Sequence, residues 1–110
     1  KSKVTQKPLF RGKRESEFTF WVSRYLNYPE SCRDARIEGV VKLSFTITEE
    51  GRLIDIEVES SPHPDLSAEA VSVVSNSPLW SPGIRYNQIV SVRYSFPIIF
   101  KLREAHRRAY

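Results

Sequence analysis

The sequence predicts an α+β fold in which three β-strands form one sheet and two helices cover one of its faces. Apolar residues recur at spacings of three and four in two segments, which is the period of an amphipathic helix. In three other segments they alternate with polar residues, which is the period of a half-buried strand. With 110 residues and 40% hydrophobic content, the chain suits one domain with one modest core.

The first helix is predicted to start at Ser16, which is a good N-cap residue, and Glu17 follows at the positive end of the helix dipole. Its apolar stripe comprises Phe18, Trp21, Val22, Tyr25 and Leu26. The stretch Asn27-Tyr28-Pro29 is predicted to end it, because the residue before a proline avoids the α region.

Residues 39–60 predict an antiparallel hairpin. The apolar positions are Val41, Leu43, Phe45 and Ile47 in its first strand and Ile54, Ile56 and Val58 in its second. Gly51 lies in the turn between them and is free to adopt positive φ. The alternating acids Asp55, Glu57 and Glu59 are typical of a solvated strand face, so we do not interpret them as catalytic carboxylates.

A second helix is predicted after the proline-rich bend at residues 60–64, with Asp65 as its N-cap. Its apolar stripe comprises Leu66, Ala70, Val73 and Val74. The sequence SPLWSPG at 77–83 then holds Trp80 between two prolines. We expect this ring to be buried against the helices, and stacking on a ligand is the less favoured alternative.

The longest strand is predicted at residues 88–102. Its inward positions are Val90, Val92, Tyr94, Phe96, Ile98, Phe100 and Leu102. Pro97 has no N–H for a β-ladder, so the strand is expected at a sheet edge. A right-handed crossover from the second strand places it beside the first strand. The prediction is therefore a two-layer, three-stranded antiparallel or mixed sheet with strand order 2-1-3.

Charge is distributed unevenly along the chain, whose net charge is +4. Residues 1–14 hold six basic residues and no acid, and residues 101–110 hold four basic residues and one acid. We interpret 1–14 as the end of a linker, 15–102 as the domain and 103–110 as a basic tail. Because a nucleic-acid binder usually carries its basic residues on a folded docking surface, we do not expect a nucleic-acid partner. A salt titration of DNA binding tests that alternative.

Motifs for catalysis or cofactor binding are absent from the sequence. There is no phosphate loop and no recognisable nucleophile–base pair. The single cysteine, Cys32, forms no internal disulfide, and His63 and His106 lack ligand spacing. We therefore expect a binding module, and neither an enzyme nor a metal or cofactor protein.

Five segments in order carry a family resemblance: YLNYP at 25–29, RIEGVVKLSFTITEEGRL at 36–53, DLSAEA at 65–70, LWSPG at 79–83 and YSFPIIF at 94–100. Together they resemble the C-terminal domain of the TonB energy-transducer family. The resemblance implies a periplasmic domain anchored to the inner membrane by an N-terminal helix that this chain, starting at Lys1, does not include. It also implies two partners, an ExbB–ExbD-type motor and the TonB box of outer-membrane transporters.

In that family the TonB box binds by adding a strand to the last strand of the domain. The resemblance places this site at Gln88, Ile89, Val90, Ser91, Val92, Arg93, Tyr94, Ser95 and Phe96. It also gives Tyr28 and Pro29 a role in positioning the partner, whereas the alternative is a helix stop with a packed tyrosine. Arg93 either meets an acidic partner side chain or pairs with an acid on a neighbouring strand. Docking is expected N-terminal to Pro97.

Two further alternatives stay open at this point. The same domain can be appended to another membrane-anchored envelope protein, such as a sensor or a peptidase. The long edge strand is also compatible with a strand-exchanged homodimer.

Overall fold

The computed structural model describes residues 5–12 and 15–102. It contains three helices, α1 (Glu15–Tyr25), α2 (Glu30–Asp34) and α3 (Pro64–Ser75). Its strands are β1 (Thr5–Gln6), β2 (Leu9–Phe10), β3 (Gly39–Ile47), β4 (Leu53–Ser60), β5 (Trp80–Ser81), β6 (Gly83–Arg85), β7 (Gln88–Val90) and β8 (Val92–Phe100). None of the helices within these residues combines the length and the apolar character needed to cross a membrane.

The main sheet has three strands in the order β4-β3-β8, and both neighbouring pairs are antiparallel. The predicted α+β class, with a three-stranded sheet and helices, is therefore confirmed. Pairing between β3 and β8 is regular from Gly39↔Phe100 to Ile47↔Val92. Pairing between β3 and β4 is interrupted by two register shifts. Two smaller sheets lie outside the main sheet, one of three short strands in the order β1-β6-β7 and one of two, β2-β5.

The core lies between one face of β3 and β8 and the apolar stripes of α1 and α3. Its buried side chains are Phe10, Phe18, Val22, Cys32, Val41, Leu43, Phe45, Ile47, Leu66, Ala70, Val73, Val74, Trp80, Phe96, Ile98 and Phe100. Phe18 of α1 joins the helix to the sheet, since its ring centroid lies 4.8 Å from that of Phe96 and 6.5 Å from that of Phe45. Burying such rings is the main favourable term in folding.

Trp80 is buried, as predicted, with 3% of its surface exposed. Its indole N–H donates to Ser77 Oγ at 3.1 Å, which satisfies the one polar atom of the ring. Its main-chain N–H donates to the Gly51 carbonyl at 2.9 Å, so the β3–β4 turn rests on this segment. The stretch between the two prolines is therefore held by hydrogen bonds, and it contributes Trp80 to the core.

Several predicted helix ends are wrong. Ser16 lies inside α1, and Tyr25 of the predicted stripe is 55% exposed. The N-cap of α3 is His63, whose Nδ1 accepts the Asp65 N–H at 3.0 Å, because the helix starts at Pro64, two residues earlier than predicted. The short helix α2, which follows Pro29, was not predicted.

The predicted linker at 1–14 is described only in part, and the tail at 103–110 lies outside the described residues. Within the linker, Leu9 and Phe10 pair with Ser81 and Trp80, and Phe10 is 3% exposed. The division of the chain at residues 14 and 102 stays a prediction.

Candidate functional site

The predicted strand at 88–102 is divided in the structure. Gln88–Val90 form β7 and pair with β6, whereas β8 begins at Val92, pairs with β3 and ends at Phe100. The prediction of one continuous strand in the main sheet is therefore wrong on both bounds. β7 pairs with β6 because a two-residue turn joins them at Tyr86 and Asn87, whose φ angles of 53° and 64° suit a type I′ hairpin.

β8 has only one strand partner among the described residues, because it ends the order β4-β3-β8. The direction of its main-chain groups follows from the β3–β4 turn, where the Thr48 N–H donates to the Arg52 carbonyl at 2.8 Å. The N–H and C=O of one residue point to the same side of a strand, and this side alternates. Even-numbered residues of β3 thus face β4, and odd-numbered ones face β8.

The regular register carries this alternation onto β8. Leu43 faces β8 and pairs with Phe96, so even-numbered residues of β8 bond to β3. The main-chain groups of its odd-numbered residues therefore point away from the sheet. These residues are Arg93, Ser95, Pro97 and Ile99. All of them offer a carbonyl, but Pro97 offers no N–H.

The β6–β7 hairpin extends the same row. In a two-residue hairpin the residues flanking the turn exchange main-chain bonds, so Gln88 faces β6 and Ile89 faces outward. Burial keeps alternating across Ser91, which is exposed between half-buried Val90 and Val92. We call the main-chain groups of the outward residues the outer edge; they are Ile89, Ser91, Arg93, Ser95, Pro97 and Ile99.

The side chains behind the outer edge are packed. Phe96 is buried, and the Tyr94 ring lies 5.7 Å from Phe45 and 5.3 Å from Trp80, centroid to centroid. The Tyr94 hydroxyl donates to Glu15 Oε1 at 2.6 Å. Burial, and then this hydrogen bond and the charge of Glu15, raise the pKa of Tyr94 well above its ordinary range. These side chains fix β8 against the core, so that the main-chain groups of the outer edge are what β8 presents to solvent.

Arg93 is engaged within the sheet. Its guanidinium donates to Thr46 Oγ1, to the Asp55 carbonyl and to Ser44 Oγ, at 2.9–3.0 Å. It also pairs with Glu57 at 3.1 Å. The alternative in which Arg93 pairs with an acid on a neighbouring strand is therefore confirmed. The side chain ties β8 to β3 and β4 across the solvent-facing side of the sheet.

Tyr28 and Pro29 lie at the other end of β8. The Tyr28 hydroxyl donates to the Ile37 carbonyl at 2.5 Å, and its ring meets Phe100 edge-on at 5.5 Å. Phe100 is four residues, about 13 Å of strand, beyond Phe96. The structure thus does not bring Tyr28 together with the residues at 88–96.

A groove lies beside this end of β8. It has a volume of about 450 Å³, and Tyr28, Arg33, Ile99 and Lys101 are among the residues that line it. Burial, followed by the charge of Glu38, raises the pKa of Tyr28. The groove therefore presents a neutral phenol together with two basic side chains, next to Ile99, the last residue of the outer edge.

The opposite edge of the sheet, formed by β4, is built differently. Its register shifts twice against β3, and Asp55 has a positive φ of 52°. Bulges and charged side chains are devices that keep strand edges from pairing, and β4 also carries Glu57 and Glu59. The sheet consequently has one irregular acidic edge and one regular edge.

The comparisons agree on one family. The model of the Gram-negative bacterial TonB protein C-terminal family matches residues 24–102. The solution structure of the Pseudomonas aeruginosa TonB C-terminal domain is 31% identical, with a TM-score of 0.57, and the match covers 71% of this chain and 79% of that one.

Two solution structures of the Helicobacter pylori TonB C-terminal domain also match. The longer one, residues 179–285, is 27% identical with a TM-score of 0.58, covering 86% of this chain and 90% of that one. The shorter one, residues 194–285, is 24% identical with a TM-score of 0.64, covering 82% and 95%, and it supports the fold. No curated protein sequence matches the chain. The family match spans most of the chain and includes β8 with its outer edge, so the chain belongs to the TonB C-terminal domain family.

Proposed function

We propose that this domain is the periplasmic binding module of a TonB-type energy transducer, and that it captures the TonB box of outer-membrane transporters by strand addition along the outer edge. The observation that carries this proposal is the regular edge of β8, which has no strand partner on its outer side among the described residues. An edge of this kind is a ready template for an extended peptide.

The expected affinity follows from the outward main-chain groups. From Ile89 to Ser95, four residues each present one N–H and one C=O, and Pro97 interrupts the row of donors. Four to six new hydrogen bonds at about 0.5–1.5 kcal/mol each, less the cost of ordering the peptide, give a weak to moderate and reversible complex. Because main-chain groups carry the recognition, one domain can serve transporters with different box sequences.

The mechanical part of the proposal rests on geometry. A partner strand pulled along its own axis loads its hydrogen bonds together, so that a weak complex resists force better than its affinity suggests. The force comes from an ExbB–ExbD-type motor that uses the proton motive force, and it reaches the domain through an inner-membrane anchor and a linker that ends at residues 1–14.

Tyr28 and Pro29 contribute at the far end. A partner strand that continues along β8 past Pro97 reaches the groove lined by Tyr28, Arg33 and Lys101. The two basic residues favour an acidic group on that part of the partner. The primary contact remains on the N-terminal side of Pro97, where the outward donors are consecutive.

Proline substitution on the outer edge tests the proposal. Ser95→Pro removes one outward N–H and leaves the bonds from β8 to β3 in place, as Pro97 already does two residues later. Ser95→Ala is the matched control, since it removes the hydroxyl and keeps the N–H. The ¹⁵N-labelled variants are titrated with peptides from transporter N-termini, and the amide shifts are followed by NMR.

We expect shifts along residues 89–96 in the parent and in Ser95→Ala. Loss of one hydrogen bond weakens binding by about 2- to 13-fold, and Ser95→Pro should exceed this because its ring also obstructs the partner strand. Circular dichroism checks that the variant is folded. Shifts that cluster on β4, or a folded Ser95→Pro variant that binds as the parent does, would contradict the proposal.

A further inference from the structure

Three potential metal ligands meet where α2 approaches the start of α3. They are Cys32, which is buried, His63, which is half-buried, and Asp65, which is exposed. One ligand atom from each lies within 4.8 Å of the other two, and Cys32 Sγ lies 3.4 Å from His63 Nδ1. Sequence spacing did not reveal this group, because Cys32 and His63 are 31 positions apart in the sequence.

Contacts outside the cluster hold these groups in position. The His63 carbonyl accepts bonds from the Ser61 hydroxyl at 3.0 Å and from the Ser67 N–H at 3.1 Å. The Ser31 hydroxyl donates to Asp65 Oδ2 at 2.5 Å and so joins α2 to the first turn of α3. Metal sites depend on this kind of support, because it orients ligands before the ion arrives.

His63 Nδ1 faces two hydrogen-bond donors with a single lone pair. A neutral imidazole nitrogen has one lone pair, and this one accepts the Asp65 N–H at 3.0 Å. The Cys32 thiol lies at 3.4 Å from the same nitrogen and competes for the same lone pair. A buried sulfur facing an imidazole nitrogen beside a carboxylate is the donor set that suits a borderline-soft cation such as Zn²⁺.

We propose that Cys32, His63 and Asp65 bind one divalent cation of the zinc class, with water as the fourth ligand. Tetrahedral bonds of about 2.3 Å to sulfur and about 2.0 Å to nitrogen place these two ligands about 3.5 Å apart. The separation of 3.4 Å is close to this distance, and the imidazole turns its Nδ1 lone pair from the Asp65 N–H toward the ion. The exposed Asp65 carboxylate closes the site by a side-chain rotation and leaves one position open to water.

Charge and protons balance at this site. A thiolate and a carboxylate neutralise the cation, and the imidazole binds uncharged. The thiol proton is released to bulk water as the metal–sulfur bond forms. His63 Nδ1 then no longer accepts the Asp65 N–H, so metal binding alters the N-cap of α3, and the Asp65 amide reports on it.

Cobalt titration of the reduced 110-residue chain tests the site. Co²⁺ bound to a thiolate absorbs by charge transfer in the near ultraviolet, which a site without Cys32 cannot reproduce. We expect saturation at one Co²⁺ per chain, displacement by Zn²⁺, and a shift of the Asp65 amide. Cys32→Ala should abolish the absorption, and His63→Asn and Asp65→Asn should each weaken binding at least about tenfold.

The variants separate ligation from folding. Asn is a good N-cap, so His63→Asn keeps α3 intact while it removes the imidazole. His106→Ala and Glu30→Gln are the controls for the other histidine and for a neighbouring carboxylate, and both should bind as the parent does. Absence of the charge-transfer band in the parent, or unchanged Co²⁺ binding in His63→Asn, would overturn the proposal.

Discussion

Gly51 is the position where a single methyl group should damage the fold most directly. It has a φ of +86° in the β3–β4 turn, and a Cβ built there would lie 2.0 Å from the Trp80 carbonyl oxygen. The Gly51 carbonyl also accepts the Trp80 N–H. Because the obstacle is main chain, Gly51→Ala forces the turn away from the segment that carries Trp80.

The cost has two parts that can be separated. Left-handed φ costs an alanine about 1–2 kcal/mol. Separating the turn from Trp80 also removes a main-chain hydrogen bond, about 0.5–1.5 kcal/mol, and loosens the packing of a ring that is 3% exposed. We therefore expect Gly51→Ala to lower the free energy of unfolding by at least about 2–3 kcal/mol.

Gly12 provides the matched control. Its φ is +78°, but the nearest atom to a Cβ built there is Ser81 Oγ at 3.8 Å, which is ordinary contact. Gly12→Ala should therefore cost only the part due to φ. Urea denaturation followed by tryptophan fluorescence measures both values, and each kcal/mol corresponds to about 4–8 °C in Tm. Equal losses in the two variants would refute the argument from close approach.

Three further predictions concern the core, the pH dependence and the helix cap. By the same denaturation assay, Phe18→Ala should lower the free energy of unfolding by about 3–5 kcal/mol. The Phe20 ring is 60% exposed, so Phe20→Ala should change this free energy by no more than about 0.5 kcal/mol. The pKa of Tyr94 is raised from 10.0, so the folded state holds this proton more tightly than the unfolded chain does. The contribution of this group to the free energy of unfolding should be constant below pH 10 and should fall as the pH rises further. In denaturation experiments at increasing pH, Tyr94→Phe should therefore lose less stability than the parent does. His63→Ala should lower the free energy of unfolding by about 1 kcal/mol and His63→Asn by less, and an unchanged stability in His63→Ala would show that the Nδ1 cap contributes nothing.

The sequence predicted the buried side chains well wherever apolar residues alternate regularly along a whole strand. The alternation from Val41 to Ile47 and from Phe96 to Phe100 predicted which residues face the core, because burial of one sheet face fixes the side of every second residue. Pro97 placed β8 at an edge for a reason that needs no structure, namely its missing donor. The resemblance, in turn, pointed to the strand that carries this edge.

The remaining features depend on contacts between distant residues. The β6–β7 hairpin depends on the Tyr86-Asn87 turn, which lacks the glycine that marks most type I′ hairpins. The distance between Tyr28 and residues 88–96 follows from the packing of the Tyr28 ring against Phe100, at the far end of β8. The cluster around Cys32 likewise exists only because α2 meets α3, so no local pattern could predict it.

Pro97 gives the sharpest test of the direction assigned to the main-chain groups. If the N–H of residue 97 points outward, Pro97→Ala adds a donor to the outer edge and leaves the pairing with Lys42 unchanged. Stability should then fall slightly, by about 0.4–1 kcal/mol, because alanine gives the unfolded chain more freedom. Affinity for an added strand should rise about 2- to 13-fold, seen as tighter peptide binding or as self-association in sedimentation experiments.

Ser95→Ala is again the control, because it leaves the number of outward donors unchanged. If the N–H of residue 97 pointed toward β3 instead, the alanine would complete a ladder bond, and the free energy of unfolding would rise without any change in affinity. A more stable Pro97→Ala variant with parental affinity would therefore reverse the assignment: even-numbered residues of β8 would face outward. The groups that a partner strand contacts would then be those of Val92, Tyr94 and Phe96.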